Sequence, residues 1–209
     1  MKAKLIISAL LLAASSAFGT VTLQFSNTTN STANFANGVG TGGSTLLWGV
    51  VIDAGGNGFN TSYEPGLSYT AGLQTLAGTD DVVWIQGTMI LFTDTQVTNG
   101  QADGQAVGDN RVTTASGVSF GVNGIGTGDA FRIIWFDVTA QGGTAQAGQK
   151  YGTLENAAFV IPGDGSTVPF TTFFAGADPL KQMTHTFVPE PSAALLGLLG
   201  VAGLLRRRR

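Results

Sequence analysis

Phe131-Arg132-Ile133-Ile134-Trp135-Phe136-Asp137-Val138-Thr139 is the stretch that best indicates the fold of this chain. Aromatic and β-branched residues fill it, and the sequence on either side is rich in glycine. A run of this length and composition is typical of a buried strand and is short for a helix. We therefore predict a β-strand over Phe131–Thr139.

Similar short runs lie along the rest of the chain, separated by Gly-rich turns. They predict strands at Val21–Phe25, Leu46–Asp53, Val82–Phe92, Val118–Val122, Ala157–Ile161 and Thr184–Val188. The pattern between them leaves Leu67–Leu76 open between a short strand and a helical turn, and it predicts long polar loops at Asn27–Ser44 and Asp94–Asn110. Regularly spaced short strands indicate an all-β fold, a single antiparallel, jelly-roll-like β-sandwich.

The core of this sandwich is predicted from the large apolar residues of the strands. The candidates are Leu47, Trp48, Val50, Ile52, Val83, Ile85, Ile90, Phe92, Phe131, Ile133, Trp135 and Phe159.

Composition excludes several classes of protein. The 209 residues suit one domain, and 31 glycines disfavour helix interiors. Between the two ends lie four basic and twelve acidic residues, a net charge of −8 that argues against nucleic-acid binding. The chain has no cysteine, which excludes disulfides and Cys-based zinc sites.

The N-terminal segment has the three parts of a secretory signal peptide. Lys2 and Lys4 precede the apolar run Leu5–Ala14, and Ala17 and Gly19 place small residues where signal peptidase reads them. We predict a signal peptide over residues 1–19, cleaved after Gly19, and export across the inner membrane.

The C-terminal segment combines prolines, a short apolar stretch and a basic cluster. Pro189, Glu190 and Pro191 precede the uncharged stretch Ser192–Leu205, which as a helix spans about 21 Å against a hydrocarbon core of about 30 Å. A cluster of arginines follows and predicts a cytoplasmic stop. Its members are Arg206, Arg207, Arg208 and Arg209.

This order of features resembles the PEP-CTERM sorting domain, a tail that is also catalogued as an ice-binding protein C-terminal domain. The resemblance covers Val188 to Arg209. It implies recognition at Pro189, Glu190 and Pro191 by an exosortase, a membrane-embedded transpeptidase-like enzyme of Gram-negative bacteria that make exopolysaccharide. A plain C-terminal membrane anchor would have the same topology and would lack only the processing step. Isolated threonine pairs do not form the regular rows of an ice-binding face, so ice binding is not inferred.

The exported domain then spans residues 20–187 and the sorting signal residues 188–209. The expected course is transient anchoring through the C-terminal helix and then location at the cell surface or in the extracellular matrix, where exopolysaccharide is a candidate partner. We expect a non-enzymatic structural or adhesive domain without a cofactor.

Two patterns suggest catalysis weakly. Gly117-Val118-Ser119-Phe120-Gly121 matches the nucleophile elbow of serine hydrolases, and the acids Asp137 and Asp164 and then His185 follow in the required order. The glycine-rich sequence after Ser119 does not suit the helix that such an elbow needs. Glu64 and Glu155 could form a glycosidase pair, but nothing in their sequence setting supports it.

Two patterns suggest ligand binding. Asp53-Ala54-Gly55-Gly56-Asn57-Gly58 has the oxygen ligands of a calcium loop but lacks the closing acid, so ordinary turn residues are the favoured interpretation. Tyr63, Tyr69 and Tyr151 lie next to turns and would be available to stack on sugar rings, which makes a glycan-binding module the alternative function.

Overall fold

A computed structural model describes residues 19–25, 32–33, 35–37, 46–91, 110–137, 143–170 and 181–189, together with Leu199 and Arg206. The part of the chain up to residue 189 that it describes contains strands and no helical element, and the sheets are mainly antiparallel. The predicted all-β class is therefore confirmed. The strands are β1 (Thr20–Gln24), β2 (Thr32–Ala33), β3 (Leu47–Ile52), β4 (Gly72–Thr75), β5 (Val82–Thr88), β6 (Ile90–Leu91), β7 (Asn110–Val112), β8 (Thr114–Ser119), β9 (Phe131–Phe136), β10 (Lys150–Leu154), β11 (Thr167–Pro169) and β12 (His185–Thr186).

The largest sheet has six strands in the order β12-β10-β9-β3-β5-β4. Its two central strands, β3 and β9, pair antiparallel from Leu47 opposite Phe136 to Ile52 opposite Phe131. Every residue of both strands is buried. A strand that is covered on both faces carries a continuous apolar run, which explains why neither sequence alternates between apolar and polar residues.

A three-stranded sheet, β11-β1-β8, covers one face of the large sheet. β1 alternates in burial, so Val21 and Leu23 point inward. They belong to the same buried cluster as Trp48 and Ile133 of the central strands. β1 and β11 are paired parallel, whereas β1 and β8 are antiparallel. The remaining three-stranded sheet has the order β2-β7-β6.

Loops cover the other face of the large sheet. Val51 and Ile134 project into a second buried cluster that includes Tyr63, Tyr69 and Phe187. None of these three aromatic residues lies in a central strand; Tyr63 and Tyr69 come from the segment between β3 and β4, and Phe187 directly follows β12. The segment between β3 and β4 therefore contributes aromatic side chains to the hydrophobic core.

Most predicted strands are confirmed, with shifted ends. The prediction for Val118–Val122 overlaps only the end of β8, and Leu67–Leu76 contains the strand β4. The prediction for Ala157–Ile161 is wrong, because this segment is a turn in which the Phe159 N–H donates to the Asn156 carbonyl, with one isolated bridge from Val160 to Ala130. The strands β10 and β11 were not predicted. β2 lies within the predicted loop Asn27–Ser44, and β7 begins at Asn110.

The core prediction is confirmed for the candidates whose side chains are described. Leu47, Trp48, Val50, Ile52, Val83, Ile85, Phe131, Ile133, Trp135 and Phe159 are all buried. The side chains of Ile90 and Phe92 lie outside the described residues, as do residues 1–18 of the predicted signal peptide. In the part of the chain that is described, we find no helix with the length and apolarity to cross a membrane.

Candidate functional site

A buried arginine in the middle of β9 is the centre of the most connected polar group in the described structure. Arg132 is only 4% exposed. Its Nη2 donates to the Tyr63 hydroxyl at 2.6 Å and to the Asn60 carbonyl oxygen at 2.9 Å, and its Nη1 donates to Glu155 Oε1 at 2.6 Å. One end of this group is therefore buried beneath a loop, and the other reaches the surface, where the Glu155 side chain is 56% exposed.

The buried end continues to a carboxylate. The Tyr63 hydroxyl donates to Asp81 Oδ2 at 2.9 Å, and the Asn60 N–H donates to the same oxygen at 3.2 Å. Asp81 is 1% exposed, and desolvation by burial raises the pKa of its carboxyl group. Desolvation likewise raises the pKa of Tyr63. We name Arg132, Tyr63, Asp81, Asn60 and Glu155 the Arg132 network.

The Arg132 network joins four parts of the chain that are far apart in sequence. It connects the loop after β3, the turn before β5, the central strand β9 and the residue that follows β10. The described residues contain no group of three acidic or histidine side chains placed to hold a metal ion. The geometry indicates a polar clamp, by which we mean that Arg132 holds the loop after β3 and the turn before β5 against β9 through hydrogen bonds. The sequence signal for it is a single arginine within the apolar run Phe131–Phe136.

Tyr63 also connects the Arg132 network to the segment that directly precedes the predicted sorting motif. Its N–H donates to the Tyr151 hydroxyl at 3.1 Å, and its carbonyl oxygen accepts the N–H of Val188 at 3.1 Å. Phe187 is fully buried, whereas Val188 is 42% exposed and Pro189 is exposed. The chain therefore leaves the core one residue before the first proline of the predicted motif.

The other residues of the predicted sorting signal are sparsely described. Glu190, Pro191, Arg207, Arg208 and Arg209 lie outside the described residues. Arg206 is described and is exposed, as is Leu199 in the predicted apolar helix. The exosortase motif and the cytoplasmic stop stay predictions.

The predicted signal-cleavage site lies at the start of the first strand. Ala17 is outside the described residues, but Gly19 directly precedes β1, and Thr20 is exposed. The Gly19 carbonyl accepts the Phe120 N–H at 2.9 Å, and the Thr20 carbonyl accepts the Gly165 N–H at 3.2 Å. Within the described residues, the first strand thus begins at Thr20, which directly follows the predicted cleavage site.

The structure places Ser119 and His185 in different sheets. Ser119 is the last residue of β8, inside a strand, where its backbone pairs with Thr20. A bend and turn follow it within the described segment 110–137, whereas a nucleophile elbow needs a helix there. His185 lies in β12 at the edge of the six-stranded sheet, with its Nε2 3.2 Å from Thr153 Oγ1 and its ring stacked on Tyr151.

The candidate calcium loop is a turn in which the Asp53 carboxylate accepts hydrogen bonds from the backbone of the same loop. Asp53 is 5% exposed, and its two carboxylate oxygens accept the N–H groups of Asn57 at 3.2 Å and Gly58 at 2.9 Å. The side-chain amide of Asn57 donates to Asp80 at 2.8 Å. These contacts satisfy the carboxylate with backbone donors, which is the ordinary role of an Asp in a turn.

The prediction that tyrosines are available for stacking on sugars is wrong. Tyr63, Tyr69 and Tyr151 are 1%, 4% and 0% exposed, because all three cover the second face of the large sheet. Burial raises the pKa of Tyr69 to about 12. The suggested glycosidase acid Glu155 is the ion-pair partner of Arg132. A turn-adjacent position therefore did not imply exposure.

Comparison of the chain with models of protein families, with curated proteins and with solved structures found no match. The class that the fold defines is an all-β domain with mainly antiparallel sheets and a buried polar clamp. Any more particular assignment rests on the sequence and the geometry described above.

Proposed function

We propose that this chain is an exported, exosortase-sorted protein of the bacterial cell surface or extracellular matrix, with a non-enzymatic structural or adhesive β domain. The signal peptide and the C-terminal transmembrane helix would flank a single jelly-roll-like sandwich. After export, the C-terminal helix would hold the protein in the membrane until the exosortase processes it.

The observation that carries this proposal is the order of features after the domain. Pro189, Glu190 and Pro191 come first, then the uncharged stretch Ser192–Leu205, and then a run of arginines. A helix of this length is a marginal anchor, because about 21 Å falls short of the bilayer core of about 30 Å. Four adjacent cations resist passage through the bilayer and favour the cytoplasmic side.

The geometry of the domain supports access to the motif. Phe187 is fully buried and its N–H donates to the Gln149 carbonyl at 2.9 Å, so the domain holds the chain firmly up to that residue. Val188 and Pro189 are exposed. An enzyme at the membrane would meet the motif at the point where the chain leaves the domain, without having to unfold it.

The proposal is tested by expressing the full chain in an exosortase-containing bacterium and measuring intact mass in each cell fraction. We expect a wild-type N-terminus at Thr20 and a mass that lacks the residues after the motif. Replacing Pro189, Glu190 and Pro191 together by alanine should leave the tail attached and retain the protein in the membrane.

A matched control replaces Thr184 and Thr186 by alanine, two exposed positions just before the motif. This control should be processed like wild type. If wild type keeps its tail, so that its mass differs from that of the motif variant only by the three substitutions and both proteins have the same location, the tail is a plain anchor and the sorting proposal fails.

A further inference from the structure

The exposed end of the Arg132 network borders a surface cavity of about 330 Å³. Phe59, Glu155 and Asn156 line it; Phe59 is half-buried and the other two are exposed. Phe131 and Phe159 also line it and are each 1% exposed, so they form an apolar base. This volume falls within the roughly 300–1,000 Å³ of small-ligand sites, which combine apolar walls with a few polar groups.

The aromatic wall of this cavity is held in place from the interior. The guanidinium carbon of Arg132 lies 4.5 Å from the centroid of the Phe59 ring, within the range of a cation–π contact. Arg132 is buried, so it contacts the ring from the protein side. The remainder of the ring is therefore presented to the cavity in a fixed position, which reduces the entropy lost when a ligand binds.

The polar groups of the cavity are suited to a neutral ligand. The charge of Glu155 is balanced by Arg132 through Oε1, and the half-exposed side chain leaves Oε2 as an acceptor. Asn156 accepts the Ala158 N–H at 2.9 Å through Oδ1, which leaves its amide nitrogen as a donor. An anion would meet the carboxylate of Glu155 in a domain of net charge −8, and a cation would meet a carboxylate that is already paired.

We propose that this cavity binds a neutral pyranose unit of a polysaccharide. The apolar C–H face of the sugar packs on Phe59, and its hydroxyl groups donate to Glu155 and accept from Asn156. The inference does not depend on sorting, since none of these residues lies in the tail. It assigns a ligand class to the domain at a position different from the buried tyrosines.

The test measures binding of purified full-length protein to cellotetraose, maltotetraose and mannotetraose, with tetragalacturonate as an anionic comparison. We expect at least one neutral sugar to bind and tetragalacturonate to bind more weakly. Phe59→Leu keeps an apolar side chain but removes the ring, so it should weaken binding about tenfold. Thr75→Ala, which lies at a different surface cavity of about 280 Å³ beside β4, should bind like wild type.

A second variant keeps the test valid if Phe59→Leu unfolds. Val160 lines the cavity and is 43% exposed, so Val160→Trp should place its ring in the cavity, leave the domain folded and abolish binding. The proposal is overturned if no neutral sugar binds, if tetragalacturonate binds best, or if a folded Phe59→Leu and Val160→Trp both bind like wild type. The sorting proposal is judged by mass, so the two fail independently.

Discussion

Arg132 shows how one polar residue can fix the position of distant loops. It lies in a central strand in which every residue is buried, yet each of its terminal nitrogens has a hydrogen-bond partner. Two buried atoms of the network, Arg132 Nε and Asp81 Oδ1, have no partner within the described structure. Buried polar networks of this kind are sensitive to single changes, since a partner that is lost cannot be replaced by water.

The first prediction concerns Arg132→Met, which retains much of the apolar volume and removes the charge. It leaves the Asn60 carbonyl without its Arg132 donor and removes the cation near Asp81. We expect the free energy of unfolding to fall by about 3 kcal/mol. Urea denaturation monitored by tryptophan fluorescence measures it.

The matched control for this prediction is Glu155→Gln at the exposed end of the same ion pair. Because Glu155 is more than half exposed, its removal should cost less than about 1 kcal/mol. Equal losses for the two variants would show that the buried contacts of Arg132 contribute nothing beyond the surface pair.

The second prediction concerns the pH dependence contributed by Asp81. Desolvation raises its pKa in the folded state above the usual 3.8; Asp53 acts in the same direction, whereas Arg132 and the hydrogen bonds from Asn60 and Tyr63 oppose it. A raised carboxyl pKa adds stability below the unfolded value, and this contribution is lost as pH rises through the folded value.

Asp81→Asn removes this titration while keeping an oxygen acceptor for Tyr63. Relative to the variant, wild type should lose stability as pH rises from about 3 to the raised folded pKa and then stay level. Urea denaturation of both proteins at each pH isolates the difference from the titration of other carboxyl groups. A relative gain by wild type over that interval would contradict the sign.

At the scale of elements, the six-stranded sheet depends on close approaches that only glycine permits. In β10, a Cβ on Gly152 would lie 2.1 Å from Cζ2 of Trp135 on the neighbouring strand. Trp135 is fully buried, and its Nε1 donates to the Ala36 carbonyl at 3.0 Å, so its ring cannot move aside freely. The tryptophan and the glycine therefore fit as a pair across the two strands.

The third prediction follows from this contact. Gly152→Ala should lower the free energy of unfolding by about 1–3 kcal/mol, because the added methyl group overlaps a ring inside the core. Gly163→Ala is the control, since the nearest atom to its added Cβ is Ser166 Oγ at 3.8 Å. Thermal unfolding followed by circular dichroism should separate the two, and equal melting temperatures would refute the overlap.

At the scale of the whole molecule, ordered strands and buried residues lie close to both the predicted signal-cleavage site and the predicted sorting motif. The first strand starts at Thr20, and the last buried residue of the described range 181–189 is Phe187. Phe187 packs against Tyr151 and Phe136, with ring centroids 4.6 Å and 5.9 Å apart. The core thus extends to Phe187, the residue directly before the predicted sorting signal.

The fourth prediction is that Phe187 contributes to the stability of the domain, whereas the residues after Pro189 do not. A stop codon after Pro189 should leave the melting temperature of the domain close to that of the full chain. Phe187→Ala in the full chain should cost about 3–5 kcal/mol through the loss of a fully buried ring. Differential scanning calorimetry compares the three proteins. A truncated protein that melts as early as Phe187→Ala would place part of the core beyond residue 189.

The sequence by itself determined the all-β class and part of the core, namely the apolar residues of the central strands. Strands such as β3 and β9 are recognisable because β-branched and aromatic residues lie in short runs between glycine-rich turns. Weakly apolar strands were missed; β10 contains Lys150, Gly152 and Thr153, and it is a strand because it pairs with β9 and β12. The predicted export and sorting signals also come from local sequence pattern, because such signals are recognised as short linear segments.

Only the tertiary structure decided which polar and aromatic residues lie inside. Tyr63, Tyr69 and Tyr151 have turn-like sequence surroundings, but the loops that carry them fold onto the second face of the large sheet. The partnership of Arg132 with Tyr63 and Glu155 joins residues 69 and 23 positions away. No local pattern encodes such contacts, because they exist only after the sheet has brought distant segments together.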